Sequence, residues 1–192
     1  MEADASTPQA AHGPLIEKIV GCALPSDVRD TIDLDGTGAR WIKALAEMTR
    51  GYGAHPAKIL ATRFHREAHV GLIIVRDIEF TSICRHHLLP FMGTATVGYE
   101  PSHPEVVGLS KLARLVGCFA ERLQIQEEIT DGILEALWVE LRPRGAGVIL
   151  TARHSCMGCR GVRQPRAEMI TERFKSQGDT FEWRRRFIDM IR

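Results

Sequence analysis

Histidines and cysteines fall together in two short clusters. Cys84-Arg85-His86-His87 sets a thiol and an imidazole at C-x-x-H spacing, which can bring both onto one metal ion. His154-Ser155-Cys156-Met157-Gly158-Cys159 adds another imidazole and a C-x-x-C pair. A site of Cys84, His87 and Cys156 would give zinc three protein ligands and leave its fourth position for water, the pattern of a catalytic centre. Thiolate and imidazole suit zinc's borderline softness better than magnesium or calcium. Zinc lowers the pKa of such a water from about 15.7 to about 7. His86 and His154 would then stand beside the metal as acid and base. The residues alone leave other readings open. Cys156 and Cys159 can complete a closed structural site with Cys84 and His87, act as a redox pair, or be buried thiols.

Two further stretches suit an anionic ligand and a heterocycle. In Gly108-Leu-Ser110-Lys111-Leu-Ala-Arg114, Ser110 has the chemistry of an N-cap, and Lys111 and Arg114 are neighbours on the first helical turn. Free backbone N–H groups, the helix dipole and two cations make a phosphate site. Two exposed cations on an ordinary helix are the plainer account. Gln124-Ile-Gln126-Glu127-Glu128 begins another helix; a carboxylate there can accept two adjacent N–H donors, as on the Watson–Crick edge of guanine, or simply cap the helix. From Arg142 to Arg166 the chain carries Arg142, Arg144, Arg153, Arg160, Arg163 and Arg166 and no acid, which suggests a basic patch for a phosphate ester, with a solvated face as the plainer account.

These residues need elements to position them. Leu15 to Val20 is apolar and helical in pattern, after a tail over residues 1–13 expected to be disordered. Trp41, Leu45 and Met48 recur at helical spacing over Ala39 to Arg50, with Thr37 as a candidate N-cap, and Pro56 to Phe64 predicts another short helix. Gly71 to Ser82 alternates and is rich in β-branched residues, so it predicts a strand; Thr94 to Tyr99 predicts its antiparallel partner. Ser110 to Leu123 and Gln126 to Leu141 each carry an apolar stripe of helical period. Gly147 to Ala152 and Met169 to Phe174 are further strands, and Phe181 to Ile191 a closing helix. Helices, two strands, two helices, two strands and a helix make an α+β fold with an antiparallel sheet and paired helices. Each Cys/His cluster follows a strand, so both can meet at one end of the sheet.

The 192 residues suit one domain with an N-terminal helical extension. A net charge of +1 argues against nucleic acid as partner. The longest aliphatic run, Leu72 to Val75, is too short to span a membrane. The N-terminus MEADASTPQAAHG has no apolar core of a secretory signal. The odd number of five cysteines fits a reducing, cytoplasmic setting without disulfides.

Taken together, SICRHHLLPFMG, VVGLSKLARLV, RLQIQEEIT, RPRGAGVIL and HSCMGCRGV resemble GTP cyclohydrolase I in order and spacing. The likeness extends to DLDGTGARWIKALAEMTRGY and FKSQGDTFEWRRRFIDMI, and so from about Ile32 to the C-terminus. It implies residues 1–30 as a flexible tail with a short helix and 31–192 as a catalytic domain of the tunnelling fold. It further implies an oligomeric barrel, a homodecamer of two pentamers with active sites between subunits. The implied reaction converts GTP and water to 7,8-dihydroneopterin triphosphate and formate. By residue, the resemblance gives Cys84, His87 and Cys156 as zinc ligands and His86 and His154 as catalytic histidines. Arg40, Lys111, Arg114 and Arg160 take triphosphate contacts, Ser110 makes a nearby polar contact, and Gln126 and Glu127 read guanine.

Three positions depart from the family's usual pattern. Arg85 stands where Glu is usual, Gly38 where Pro is frequent, and His65-Arg-Glu-Ala-His69-Val-Gly replaces an acidic stretch. Alternation along an extended chain predicts that Arg85 faces away from Cys84 and His86 and finds solvent or an acid. None of the departures removes a proposed ligand or catalytic residue; the alternative they open is a paralogue serving a secondary pathway or one with altered substrate or product.

Overall fold

A long hairpin carries the architecture. In the computed structural model, which describes residues 8–29, 31–67 and 71–192, strand β2 (Ile73–Cys84) pairs antiparallel with β3 (Pro90–Glu100). One extra residue interrupts the ladder: Val75 pairs with Val97, but Ile78 pairs with Ala95, and Asp77 takes a left-handed φ of 59°. This bulge changes which face alternate residues present. Beyond it Ile78, Phe80, Ser82 and Cys84 are buried, so the strand delivers the Cys84 side chain to the interior. The sheet continues with β6 (Gly145–His154) antiparallel to β3 and β7 (Met169–Ser176) antiparallel to β6. On the other side, β5 (Leu123–Gln124) runs parallel to the end of β2. The strand order is β5-β2-β3-β6-β7, mixed α+β as expected.

Helices α5 (Leu109–Ala120) and α6 (Gln126–Leu141) cover one face. Their apolar stripes, Leu112, Leu115 and Val116 on one and Ile129, Ile133 and Leu137 on the other, are almost fully buried against Phe91, Ala95, Val97, Val148 and Leu150. Burial of each such side chain contributes about 1.5–3 kcal/mol. The final helix α8 (Thr180–Ile191) lies on the opposite face, at the sheet end where β6 begins. There a Cβ on Gly147 would stand 2.4 Å from Phe174, and one on Gly98 2.7 Å from Phe187, so only glycines let those rings seat. A ribbon of β1 (Arg63–His65) and β4 (Glu105–Val107) and a short helix α4 (Pro56–Leu60) complete this unit, which runs from Thr49 to Arg192.

The residues up to Met48 form a separate compact unit of α1 (Pro8–Cys22), α2 (Ser26–Arg29) and α3 (Thr37–Met48). Within it α1 and α3 touch at their backbones. A Cβ on Gly38 would stand 2.0 Å from the Gly13 carbonyl, and the Gly38 N–H donates to Glu17 Oε1 at 3.0 Å. Proline has neither the space nor the N–H for this position. No helix among the described residues is long and apolar enough to cross a membrane.

Several expectations are corrected. The first helix begins at Pro8, not Leu15; of the tail expected to be disordered, only residues 1–7 lie outside the described residues. Thr37 is the first helical residue of α3 rather than a cap before Ala39. The helix expected over Pro56 to Phe64 ends at Leu60, because Arg63–His65 pairs with β4. The N-cap of α5 is Gly108, and Ser110 lies inside the helix with no capping role. In the stretch His65 to Gly71, residues 68–70 lie outside the described residues.

Candidate functional site

Cys84 is the last residue of β2, and the chain turns sharply after it. The His87 and Leu88 N–H groups both donate to the Cys84 carbonyl, at 3.2 and 2.8 Å, and Leu88 adopts a left-handed φ of 54°. The turn folds His87 back over Cys84, with Sγ to Nδ1 at 3.6 Å. β6 supplies the other half. It ends at His154, which pairs with Phe91 across the ladder, and runs directly into the single turn α7 (Ser155–Gly158). That turn carries Cys156 inward, and the ligand atoms of Cys84, His87 and Cys156 all lie within 4.8 Å of one another. The β2–β3–β6 ladder therefore assembles a donor set from two distant stretches of sequence. Cys159 is exposed and outside this group, as is the ring of His86, 6.2 Å from that of His87.

The electrostatics suit a cation between the sulfurs. Burial pushes the Cys156 thiol above its ordinary range, the adjacent Cys84 pushes it further, and Arg160 opposes both. Two neighbouring thiolates are unfavourable in a partly buried site unless a positive charge lies between them. His154 is held differently. Its ring stacks on Phe91, with centroids 4.4 Å apart and planes 7° from parallel. Its Nε2 lies 2.9 Å from Gln126 Oε1. Burial lowers its basicity, and the Glu127 carboxylate works in the opposite direction. Glu127 is exposed in the first turn of α6, where an acid also complements the helix dipole.

The other expected site residues divide. Arg160 acts electrostatically on Cys156 and makes no salt bridge among the described residues. Gln126 is fully buried, with its amide committed to protein groups, so its side chain cannot also reach a base. Lys111 and Ser110 lie in the first turn of α5, beside Val107, whose N–H donates to Tyr99 Oη. Tyr99 is at the opposite end of β3 from Phe91, about 27 Å of strand away. Arg114 is one turn further along and exposed. Within one chain, these cations do not gather around the Cys/His group. Arg40 belongs to the first unit, where its Nη2 donates to Thr37 Oγ1 and the Asp35 carbonyl. The expected basic patch is also divided. Arg142 and Arg144 precede β6 and Arg160, Arg163 and Arg166 follow it, while Arg153 is paired with Glu168.

Arg85 behaves as expected, though for another reason. The segment is a turn rather than extended chain, and the Arg85 N–H donates to the Gln124 carbonyl. Its guanidinium donates to Glu128 Oε1 at 2.7 Å, with the two side chains 45% and 41% exposed. A pair this exposed is worth about 0–1 kcal/mol. Arg85→Glu is expected to leave metal content unchanged and to alter kcat by less than about tenfold. Adding Glu128→Arg is expected to recover the difference. Steady-state kinetics and metal analysis of the single and double variants check this, and a hundredfold change in kcat would put Arg85 in the chemistry.

Comparison with known proteins adds a name to this arrangement. A family model described as GTP cyclohydrolase I matches residues 23–192. A protein of Thermobifida fusca named GTP cyclohydrolase 1 is 40% identical over 189 residues, covering 96% of this chain and 90% of its own. One of that name from Gloeobacter violaceus is 44% identical over 162 residues, covering 82% of this chain and 74% of its own. Another, from Nitrosospira multiformis, is 48% identical over 136 residues, covering 70% and 71%.

Proposed function

Since the chain belongs to the GTP cyclohydrolase I family and is an enzyme of that family, we propose that it hydrolyses GTP to 7,8-dihydroneopterin triphosphate and formate, with zinc on Cys84, His87 and Cys156. The observation that carries this reading is the three-donor group. A tetrahedral site with Zn–S of about 2.3 Å and Zn–N of about 2.0–2.1 Å has an S···N edge of about 3.6 Å. Cys84 Sγ and His87 Nδ1 already stand at 3.6 Å. Two thiolates and an imidazole are a donor set zinc prefers, and three ligands leave one position for water. When bound there, zinc supplies Lewis-acid activation of a water at neutral pH.

The chain's own groups account for the rest. Glu127 accepts from N1–H and the exocyclic amine of guanine, which orients C8 toward the Cys/His group. Water adds at C8, the imidazole ring opens, and a second water hydrolyses the resulting formamide to release formate; the ribose then rearranges to a ketose and condenses with the freed amine, losing one water as the pterin ring closes. His154 and His86 carry protons to and from the departing nitrogen. Arg160 takes the triphosphate on the metal side. Lys111 and Arg114 add further triphosphate contacts, with Ser110 a polar group nearby.

The position of Lys111 supports a site shared between subunits, because a second copy must bring it to the metal end. The outer edge of β7 has no partner strand among the described residues, and an open edge of this length is a template for pairing with another copy. Both features fit a barrel of the tunnelling fold, a decamer of two pentamers. The five free cysteines fit the cytoplasm. Incubation of purified protein with GTP tests the reading. Formate together with a fluorescent oxidised pterin is the expected result. Formate alone would mark an enzyme that stops after the second hydrolysis, before the pterin ring closes; consumption of GTP without formate would mark one that stops at ring opening, and unchanged GTP would mark a nucleotide-binding oligomer.

A further inference from the structure

Gln126 opens α6, and its side chain is fully buried. Its Nε2 faces three acceptors: Leu150 O at 3.1 Å, Met169 O at 3.0 Å and Thr171 Oγ1 at 3.1 Å. Two of these are strand carbonyls, which can only accept. Turning the amide over would set Oε1 against them, oxygen to oxygen. The network therefore decides which end of the amide is which.

The hydroxyls agree with that assignment. Thr130 Oγ1 donates to the Gln126 carbonyl at 2.9 Å, which uses its only proton. The 2.7 Å contact between Thr130 Oγ1 and Thr171 Oγ1 then takes its proton from Thr171. Thr171 keeps lone pairs for the Gln126 amide. The two amide protons are shared among three acceptors, and Gln126 Oε1 is left pointing at His154 Nε2, 2.9 Å away. An amide oxygen only accepts, so the proton of that bond belongs to Nε2.

From this we propose that Gln126 is a positioning residue that holds neutral His154 as its Nε2–H tautomer, so that the proton exchanged with substrate is carried on Nδ1. The proposal rests on the reading of His154 as a proton carrier. Among the described residues no protein group hydrogen-bonds Nδ1, and the stack on Phe91 fixes the ring plane. The chain from β7 through α6 to the end of β6 thus sets one rotational and one tautomeric state of a histidine beside the Cys84–His87–Cys156 group. Guanine recognition at this junction falls to the exposed Glu127. A base-reading role for the Gln126 side chain would turn its amide away from Leu150 O, Met169 O and Thr171 Oγ1.

Long-range 1H–15N correlation spectra of zinc-loaded protein carrying 15N-histidine read the tautomer directly. The His154 signals are assigned by their loss in His154→Asn. At a pH where the ring is neutral, the native protein is expected to show the coupling pattern of a protonated Nε2 and a bare Nδ1. Gln126→Met removes the acceptor and is expected to shift His154 to a mixture containing Nδ1–H. With GTP, kcat is expected to fall about 10- to 100-fold, while KM stays within about twofold. Thr171→Val, a gentler change, should move both readouts in the same direction and carries the test if Gln126→Met does not fold. A native spectrum with the proton on Nδ1 overturns the proposal. So does an unchanged tautomer in a folded Gln126→Met, or a rise in KM at constant kcat. The tautomer is measured without substrate, so a protein inactive on GTP would sink the reading of the reaction and leave this one standing on its spectrum.

Discussion

Cys156→Ser is expected to abolish metal binding and, with it, turnover. A serine hydroxyl is a poor zinc ligand, and the two remaining donors, Cys84 and His87, belong to the end of β2 and the single turn that follows it. Several kcal/mol of transition-state stabilisation go with the metal, so kcat should fall by about three decades or more. The fold should survive, because α7 caps the end of the sheet and Cys156 is only partly buried beside the core. Cys159→Ser is the paired control. Cys159 is exposed and outside the donor group, so its removal should leave metal and activity intact. Metal content after dialysis, with the oligomer followed by size-exclusion chromatography, measures both. If Cys159→Ser releases zinc as completely as Cys156→Ser, the site is a closed structural one and the catalytic proposal fails.

Glu127→Ala is expected to cost nearly as much, but only on guanine. Two hydrogen bonds to a carboxylate are worth roughly 1.5–3 kcal/mol each. Their loss lowers kcat/KM for GTP by about 10² to 10⁴ at 1.4 kcal/mol per decade. Native enzyme should turn over ATP very poorly, since adenine lacks both donors and would leave the carboxylate unpaired. The substrate comparison separates base reading from an indirect effect through His154, on which Glu127 also acts. An effect through His154 would lower turnover of GTP and ATP alike. Base reading lowers GTP alone and so collapses the discrimination. Comparable native turnover of the two nucleotides would remove the assignment.

How much of this was legible beforehand depends on range. Helix α6 runs from Gln126 to Leu141 as its stripe of Ile129, Ile133 and Leu137 predicts, ahead of a proline at 143. The strands through Val75, Val97, Val148 and Ile170 carry enough β-branched residues to be read locally. The ribbon of β1 and β4 and the two residues of β5 were not legible. Segments that short have no period of their own, and they are strands only because a partner lies alongside.

The site divides in the same way. Residue type and spacing alone determine that Cys84 and His87 can share an ion and that two thiols and an imidazole favour zinc. Those are properties of side chains and of one turn. Tertiary structure decides which further cysteine joins them. The bulge at Asp77 turns Cys84 inward, and the register Phe91 to His154 brings α7 over it, so Cys156 enters the group and Cys159 does not. It also decides the difference between Gln126 and Glu127, adjacent in sequence and alike in chemistry. A helix rotates neighbouring side chains by about 100°. That rotation buries one against the carbonyls of β6 and β7, where it orients a histidine, and leaves the other exposed in the first turn of α6.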